Sequence, residues 1–351
     1  MKEIVKQVAG IDVAQNELVV HLGKMYDDWN PELIASKNFT NDKKGFESLL
    51  LWVKKLMDPD HAVTVRYVME ATGVYHESLA YWLDGQGYEV SIVLPNKISN
   101  YARTLNVKTV TDKTSSEAIA LFGLERKLER WHRPTGIYKT LRQLTRERNQ
   151  LIVERTMLKN QLHAEQAEAE PNKKSIERIN KRVLLLDKQE KEIEQELKDI
   201  IATNAEVQRI ILLICTIPGV GLLTATTVLA ETNGFDLIKN KKQLTSYAGL
   251  DVKEKQSGTS VKGKPRISKK GNKQLRKAMY LPALAAIRYN ERLKAIFVRL
   301  VARHGIKMKA GVAIQRKLLE LIYAIYKTQK PYDKEFLTSQ NTQTMQIIIK
   351  N

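Results

Sequence analysis

A chain of 351 residues is long enough for two or three domains with a sizeable core. Its formal net charge of +19 exceeds what solubility requires and points to a polyanionic partner. No apolar run approaches the roughly 20 residues of a membrane span and no signal peptide opens the chain. The single Cys215 excludes an internal disulfide, and the scattered His21, His61, His76, His132, His163 and His304 lack zinc-ligand spacing. The expectation is a cytoplasmic protein with no membrane partner.

The first 135 residues alternate strand and helix patterns. IVKQVAGIDVA reads as a buried strand, ELVVHLG follows after the polar Gln15-Asn16 turn, and LIASKNFTN gives a third strand. Asp42 to Met57 places Phe46, Leu49, Leu50 and Val53 at helical spacing. HAVTVRYVME is a fourth strand ending at Glu70, Gly73 to Leu83 a helix, and EVSIVLP a fifth strand. From Asn96 to Arg130 the pattern is helical with a break near Val107–Thr111. Three early strands in a meander followed by strand–helix–strand–helix is the order of an RNase H-like α/β domain. A doubly wound nucleotide-binding fold is the competitor, but no G-x-G-x-x-G or Walker loop follows the first strand.

Residues 136–204 change character. Leu144, Leu151 and Leu158 recur every seven residues; beyond Pro171-Asn172, Ile176, Ile179, Val183, Leu186, Ile193, Leu197 and Ile200 continue the stripe, interrupted where Glu190 takes a seam position. This is either an antiparallel helical hairpin packed on itself or a coiled coil joining two protomers. From Ala205 to about 335 the chain is mainly helical. Pro218-Gly219-Val220-Gly221 lies between two apolar helices and resembles a helix–hairpin–helix turn. Gly219 and Gly221 then serve either a backbone approach to a phosphate or a tight turn that needs positive φ. Next to the basic loop that follows, phosphate contact is the expectation. That loop, within Ser246–Tyr280, carries Ser257-Gly258 and the cations Lys262, Lys264, Arg266, Lys269, Lys270, Lys273 and Arg276, a density suited to a phosphate backbone. Residues 336–351 read as a polar tail.

Three acids of the first domain stand where metal chemistry would need them. Asp12 interrupts an apolar strand, and a lone buried carboxylate there costs several kcal/mol unless paired or metal-bound. Glu70 ends another strand, adjacent to the first in an RNase H-like sheet, and Asp112 opens a helix that can lie across both. Carboxylates from separate elements form a hard-cation site for Mg²⁺, which combines few protein oxygens with substrate phosphates. The bland alternative for Asp112 alone is a helix N-cap.

At these residues the sequence resembles the DEDD-type insertion-sequence transposases, relatives of the Piv-type DNA invertases. GIDVAQ, MEATGVYH and TDKTSSEAIA carry the first-domain likeness; IPGVGLLTATTVLAE, SYAGL, the Ser-Gly loop, RISKKGNKQLRKA and KLLELIYAIYK carry the rest. The resemblance implies a RuvC-like N-terminal domain, a coiled-coil segment and a C-terminal transposase domain. It also implies Mg²⁺-dependent recombination of donor and target DNA, a structured guide RNA, a homo-oligomer and a prokaryotic nucleoid setting. Ser257 matches the family's nucleophilic serine; Ser260 is the nearby alternative, without an adjacent glycine. One departure stands out: where the family's third region has Asp-x-x-Asp, Asp112 is followed by Ser115, whose hydroxyl can hold a metal-bound water without supplying charge. Glu117 is about 140° around the helix from Asp112 and is a poor substitute. Since Ser257 and the acids belong to different segments, a composite site is the expectation, in which Asp12, Glu70, Asp112 and Ser257 are catalytic. The rival readings are a RuvC-like nuclease or junction resolvase using metal-activated water, a nucleic-acid-binding protein with weakened catalysis, and a coiled-coil scaffold with basic ends.

Overall fold

A computed structural model of the chain describes residues 2–57, 63–71, 73–105, 111–236, 238–254, 256–257, 261–263 and 266–333, of which 256, 257, 261 and 262 are described by backbone alone. The chain divides into two compact units, Met1–Arg133 and Pro134–Asn351.

The first unit is built on a five-stranded sheet in the order β3-β2-β1-β4-β5. Its strands are β1 (Ile4–Val13), β2 (Glu17–Tyr26), β3 (Pro31–Thr40), β4 (Val65–Glu70) and β5 (Glu89–Val93). β1, β2 and β3 form an antiparallel meander, β4 runs parallel to β1, and β5 runs parallel to β4. This order and mixed polarity are those of the expected RNase H-like sheet. The central strand is buried on both faces, which explains why its sequence is almost continuously apolar. Period-2 geometry sends Ala9, Ile11 and Val13 to one layer, with Leu18, Val20 and Leu22 of β2. Helices α1 (Lys43–Leu56) and α2 (His76–Gly85) cover that layer through Phe46, Leu49, Leu79 and Leu83. Asp42 caps α1 by accepting the Gly45 N–H at 2.8 Å. Helix α2 begins later than expected, because Gly73 is in the left-handed region at φ +61 and the chain turns before it can wind.

The opposite face of the sheet receives α3 (Pro95–Ala102), a short 3-10 turn (Arg103–Leu105) and α4 (Asp112–Glu125). The expected break between the two helices includes residues 107–110, which lie outside the described residues. Helix α4 lies unusually close to the sheet, and two glycines permit it. A Cβ on Gly10 would overlap the Ala120 backbone, and one on Gly123 would come within 2.8 Å of Val8 Cγ1.

The second unit starts with two long helices, α5 (Gly136–Gln166) and α6 (Lys173–Ala202), which fold back on each other as a hairpin. The heptad stripe is thus packed within one chain, with Ile179, Leu186, Ile193 and Leu197 buried in it. Glu190 breaks the stripe for a visible reason. It is 8% exposed and sits between two arginines of α5, pairing with Arg148 at 2.6 Å and with Arg155. The base of the hairpin belongs to the same core as the helices that follow. These are α7 (Ala205–Cys215), α8 (Leu222–Glu231), α9 (Lys241–Tyr247), α10 (Lys273–Ala278), α11 (Tyr280–Tyr289), α12 (Glu291–His304) and α13 (Lys307–Thr328). Leu318 and Leu319 of α13 are fully buried there, each contributing about 2 kcal/mol by leaving water. Between α9 and α10 run four short strands, β6 (Val252–Lys253), β7 (Gln256–Ser257), β8 (Val261–Lys262) and β9 (Arg266–Ile267).

Candidate functional site

The first unit gathers its acids at one end of the sheet. Asp12 is the penultimate residue of β1 and Glu70 the last of β4. The parallel register runs to Ile11 opposite Met69, so the next residue of each strand projects from the same face, the one covered by α4. Asp112 occupies the first turn of α4, behind an N-cap made by Thr111, whose hydroxyl accepts the Thr114 N–H at 3.2 Å. The N-cap role considered for Asp112 therefore falls to its neighbour, which leaves the Asp112 carboxylate exposed at the helix start. Asp12 senses the other two. Burial, then the charges of Asp112 and Glu70, push the Asp12 carboxyl up to about 6.

Among the described residues no group of three acidic, histidine or cysteine side chains converges closely enough to hold a metal ion by itself. The donor set still fits a hard divalent cation that keeps several waters and substrate oxygens, since three carboxylates share one field. Ser115 is half-buried one turn beyond Asp112 and, with Glu70, lines a cavity of about 550 Å³ that also includes Asn96, Ser99 and Arg103.

A buried pair escaped the sequence reading. His21 Nδ1 lies 2.8 Å from the Ser116 hydroxyl, which in turn lies 2.9 Å from the Asp112 carbonyl oxygen. With the hydroxyl donating to that carbonyl, the ring nitrogen is the donor to Oγ, and burial lowers the His21 pKa to favour the neutral ring. His21 pairs with Gly10 across the sheet and so ties the first turn of α4 to β2. The available signal was a histidine inside an otherwise apolar strand, at the alternate positions shared with Val19 and Gly23.

In the second unit the basic segment is held by a compact frame. β6 pairs with β9 through Val252–Ile267 and Lys253–Arg266, and β7 with β8 through Gln256–Lys262 and Ser257–Val261. Ser257 is therefore in the last registered pair of a hairpin. Gly258 and Lys264 lie outside the described residues, as does Ser260, and Ser257 and Lys262 are placed by backbone only. Arg266, Lys269, Lys270 and Lys273 are exposed, as phosphate contacts require. Lys269 adopts φ 53, a left-handed conformation that strains a non-glycine residue by about 1 kcal/mol and turns the chain toward α10. Arg276 differs from the others: it is half-buried and its guanidinium donates to the Ala248 carbonyl at 2.7 Å, so it braces the frame from within.

Beneath this frame lies Glu231, 3% exposed, which the sequence reading did not single out. Arg146 grips its carboxylate with two hydrogen bonds of 2.7 and 2.8 Å, and Asn272 donates to it at 2.6 Å. Asn272 also caps α10 through the Leu275 N–H at 2.9 Å and donates its own N–H to Tyr247 O at 2.7 Å. A buried carboxylate with three charge-assisted bonds thus fixes where the basic segment re-enters the core. The turn of Pro218 to Gly221 resolves into two roles. Gly219, at φ +95, is taken up by packing, since a Cβ there would lie 2.6 Å from Ala286 N. Gly221 is exposed at the start of α8 with open space around it, and of the two it is the one a phosphate can approach.

Comparisons with known proteins agree across both units. Residues 9–166 match a DEDD transposase model of the IS110 type, and residues 212–297 match the Transposase IS116/IS110/IS902 family. The pilin gene-inverting protein of Moraxella bovis is 30% identical over 340 residues, covering 94% of this chain and 98% of that protein. The transposase of insertion sequence element IS1111A from Coxiella burnetii is 26% identical over 298 residues, covering 76% of this chain and 78% of that protein. Among solved structures, Thermus thermophilus RuvC overlaps 36% of this chain and 99% of its own at 13% identity, with a TM-score of 0.27.

Proposed function

We infer the reaction from one premise: this chain belongs to the IS116/IS110/IS902 transposase family, which its likeness to a DNA-inverting protein spans almost end to end. It is a DNA transposase or invertase, and the finer chemistry is our proposal. The observation that carries it is the shared field of Asp12, Glu70 and Asp112, three carboxylates from three elements at one end of the sheet. Such a set has no use in a merely structural domain, where it only lowers stability.

Asp12, Glu70 and Asp112 would hold the divalent cation, with Mg²⁺ as the proposed ion and Ser115 contributing a hydroxyl. When bound, that ion supplies Lewis-acid stabilisation of charge on the phosphoryl oxygens. Ser257 is the proposed nucleophile: its hydroxyl gives up its proton as the oxygen bonds to phosphorus, the phosphorus–sugar oxygen bond breaks, the departing sugar oxygen takes up a proton, and the phosphoserine bond keeps the energy for rejoining. Lys262, Lys264, Arg266, Lys269, Lys270 and Lys273 position backbone phosphates, with Gly221 and the Gly258 backbone as further approach points. Glu231 and Arg276 act through the frame and are positioning residues. No helix is long and apolar enough to cross a membrane among the described residues. A structured RNA that selects donor and target DNA, and a homo-oligomer, complete the proposal and rest on the family resemblance.

The test is a denaturing gel of the protein incubated with nicked suicide DNA substrates and Mg²⁺. A covalent adduct is expected with the unmodified chain and none with Ser257→Ala or Asp12→Asn. DNA cleavage by Ser257→Ala without any adduct would instead assign the attack to water, as in a junction resolvase.

A further inference from the structure

A second group of cations lies outside the basic segment and outside every role assigned so far. Lys241 at the start of α9, Arg292 on α12 and Lys317 on α13 line one cleft of about 220 Å³. All three are exposed, and none of their side chains has a hydrogen bond or ion pair among the described residues. The cleft's one carboxylate, Glu320, is already engaged by Arg316 Nε at 2.9 Å. Its remaining polar groups are Asn290 and Tyr332, joined by a 2.9 Å hydrogen bond from Asn290 Nδ2 to the tyrosine oxygen.

Charges strewn along one helix are an ordinary solvated face, and by themselves call for no ligand. Three unpaired cations brought from three helices to the same concavity are different, because low-dielectric walls concentrate their joint field and draw in anions. The positive charge continues beyond the cleft in a line of exposed arginines. Arg292, Arg299 and Arg303 are spaced i, i+7, i+11, within about 40° of each other around α12, and span about 16 Å along its axis. That length corresponds to about five phosphate steps along one strand of a duplex.

We propose that the cleft of Lys241, Arg292 and Lys317, extended by Arg299 and Arg303, is a second binding surface for the phosphate backbone of a double-stranded nucleic acid. The choice of nucleic acid over other polyanions rests on the recombinase reading above. The surface shares no side chain with the cations of the Ser257 segment.

The experiment uses the full chain, binding fluorescent duplex DNA and duplex RNA of equal length across a range of salt. The triple variant Lys241→Gln, Arg292→Gln, Lys317→Gln is compared with a charge-matched control on the exposed face of α6, Lys174→Gln, Arg178→Gln, Lys181→Gln. The groove variant is expected to reduce the slope of log affinity against log salt by about 2 to 3 and to weaken binding more than about tenfold at 0.1 M salt. The control variant is expected to leave both nearly unchanged. A loss confined to DNA or to RNA identifies which duplex the groove holds. If the groove variant matches the unmodified chain on both polymers, or if the control loses as much, the proposal is overturned. If the unmodified chain binds neither polymer, the recombinase reading falls as well.

Discussion

Asp12 is the residue on which the first unit turns. Its carboxyl is pushed up to about 6 by burial, Asp112 and Glu70, so in the absence of a cation the folded chain holds, between about pH 4 and pH 6, a proton there that the unfolded chain has released. A raised carboxyl pKa means that native stability falls as pH rises from about 4 to about 6, and stays low above. Asp12→Asn removes that loss. In metal-free buffer at pH 7 it is expected to raise the melting temperature, with the gain vanishing below about pH 4; a melting temperature that falls at pH 7 contradicts the charge-repulsion account. Added Mg²⁺ should stabilise the unmodified chain and leave Asp12→Asn largely unmoved. Ser115 poses the complementary question. It stands one turn from Asp112 beside Glu70, where a carboxylate would add the fourth charge of the family pattern. Ser115→Asp is expected to raise recombination severalfold in a plasmid inversion or transposition assay, and a fall would mean that serine is the adapted residue.

Among the elements, α4 matters most, because it carries Asp112 and Ser115 while its far end is packed on β1. Gly10 and Gly123 set how deeply it sits, and the His21–Ser116 hydrogen bond holds its first turn. Gly10→Ala is expected to destabilise the protein by about 1–3 kcal/mol in urea denaturation, since α4 must lift from the sheet, and to cut recombination with Asp12, Glu70 and Asp112 all unchanged. Periodicity made the strands and most helices readable beforehand, since alternation and 3.6-residue spacing are written in the residues themselves. It could not foresee Glu190, which looks like an error in a heptad until Arg148 and Arg155 of the facing helix are in place. Glu231 was hidden for the same reason: an acid at the end of an apolar helix has no distinguishing mark until Arg146 and Asn272, 85 and 41 residues away, arrive beside it.

For the molecule as a whole, two compact units with separate cores predict separable folding. Residues 1–133 expressed alone should give a cooperative thermal transition and an α/β circular dichroism spectrum, because the apolar layers on both faces of the sheet are complete within that unit. A featureless spectrum would show that the division does not extend to folding. The charge of +19 belongs to this scale too, and it makes binding to polyanions steeply dependent on salt whichever surfaces contribute.

The chain's order of strands, its heptad helices, its acids and its basic segment are local properties, so pattern and charge were enough to read them, and the joint order of motifs was enough to suggest the family. What tertiary structure decided is which of those residues meet. Glu70 approaches Asp12 only because β4 runs beside β1, Arg276 turns inward only because Ala248 offers a carbonyl, and Gly219 serves packing only because α11 lies against it. Lys241, Arg292 and Lys317 share a cleft for the same reason. Their interaction energies depend on distance in space, and residues far apart in sequence acquire that distance only when the helices and strands have packed.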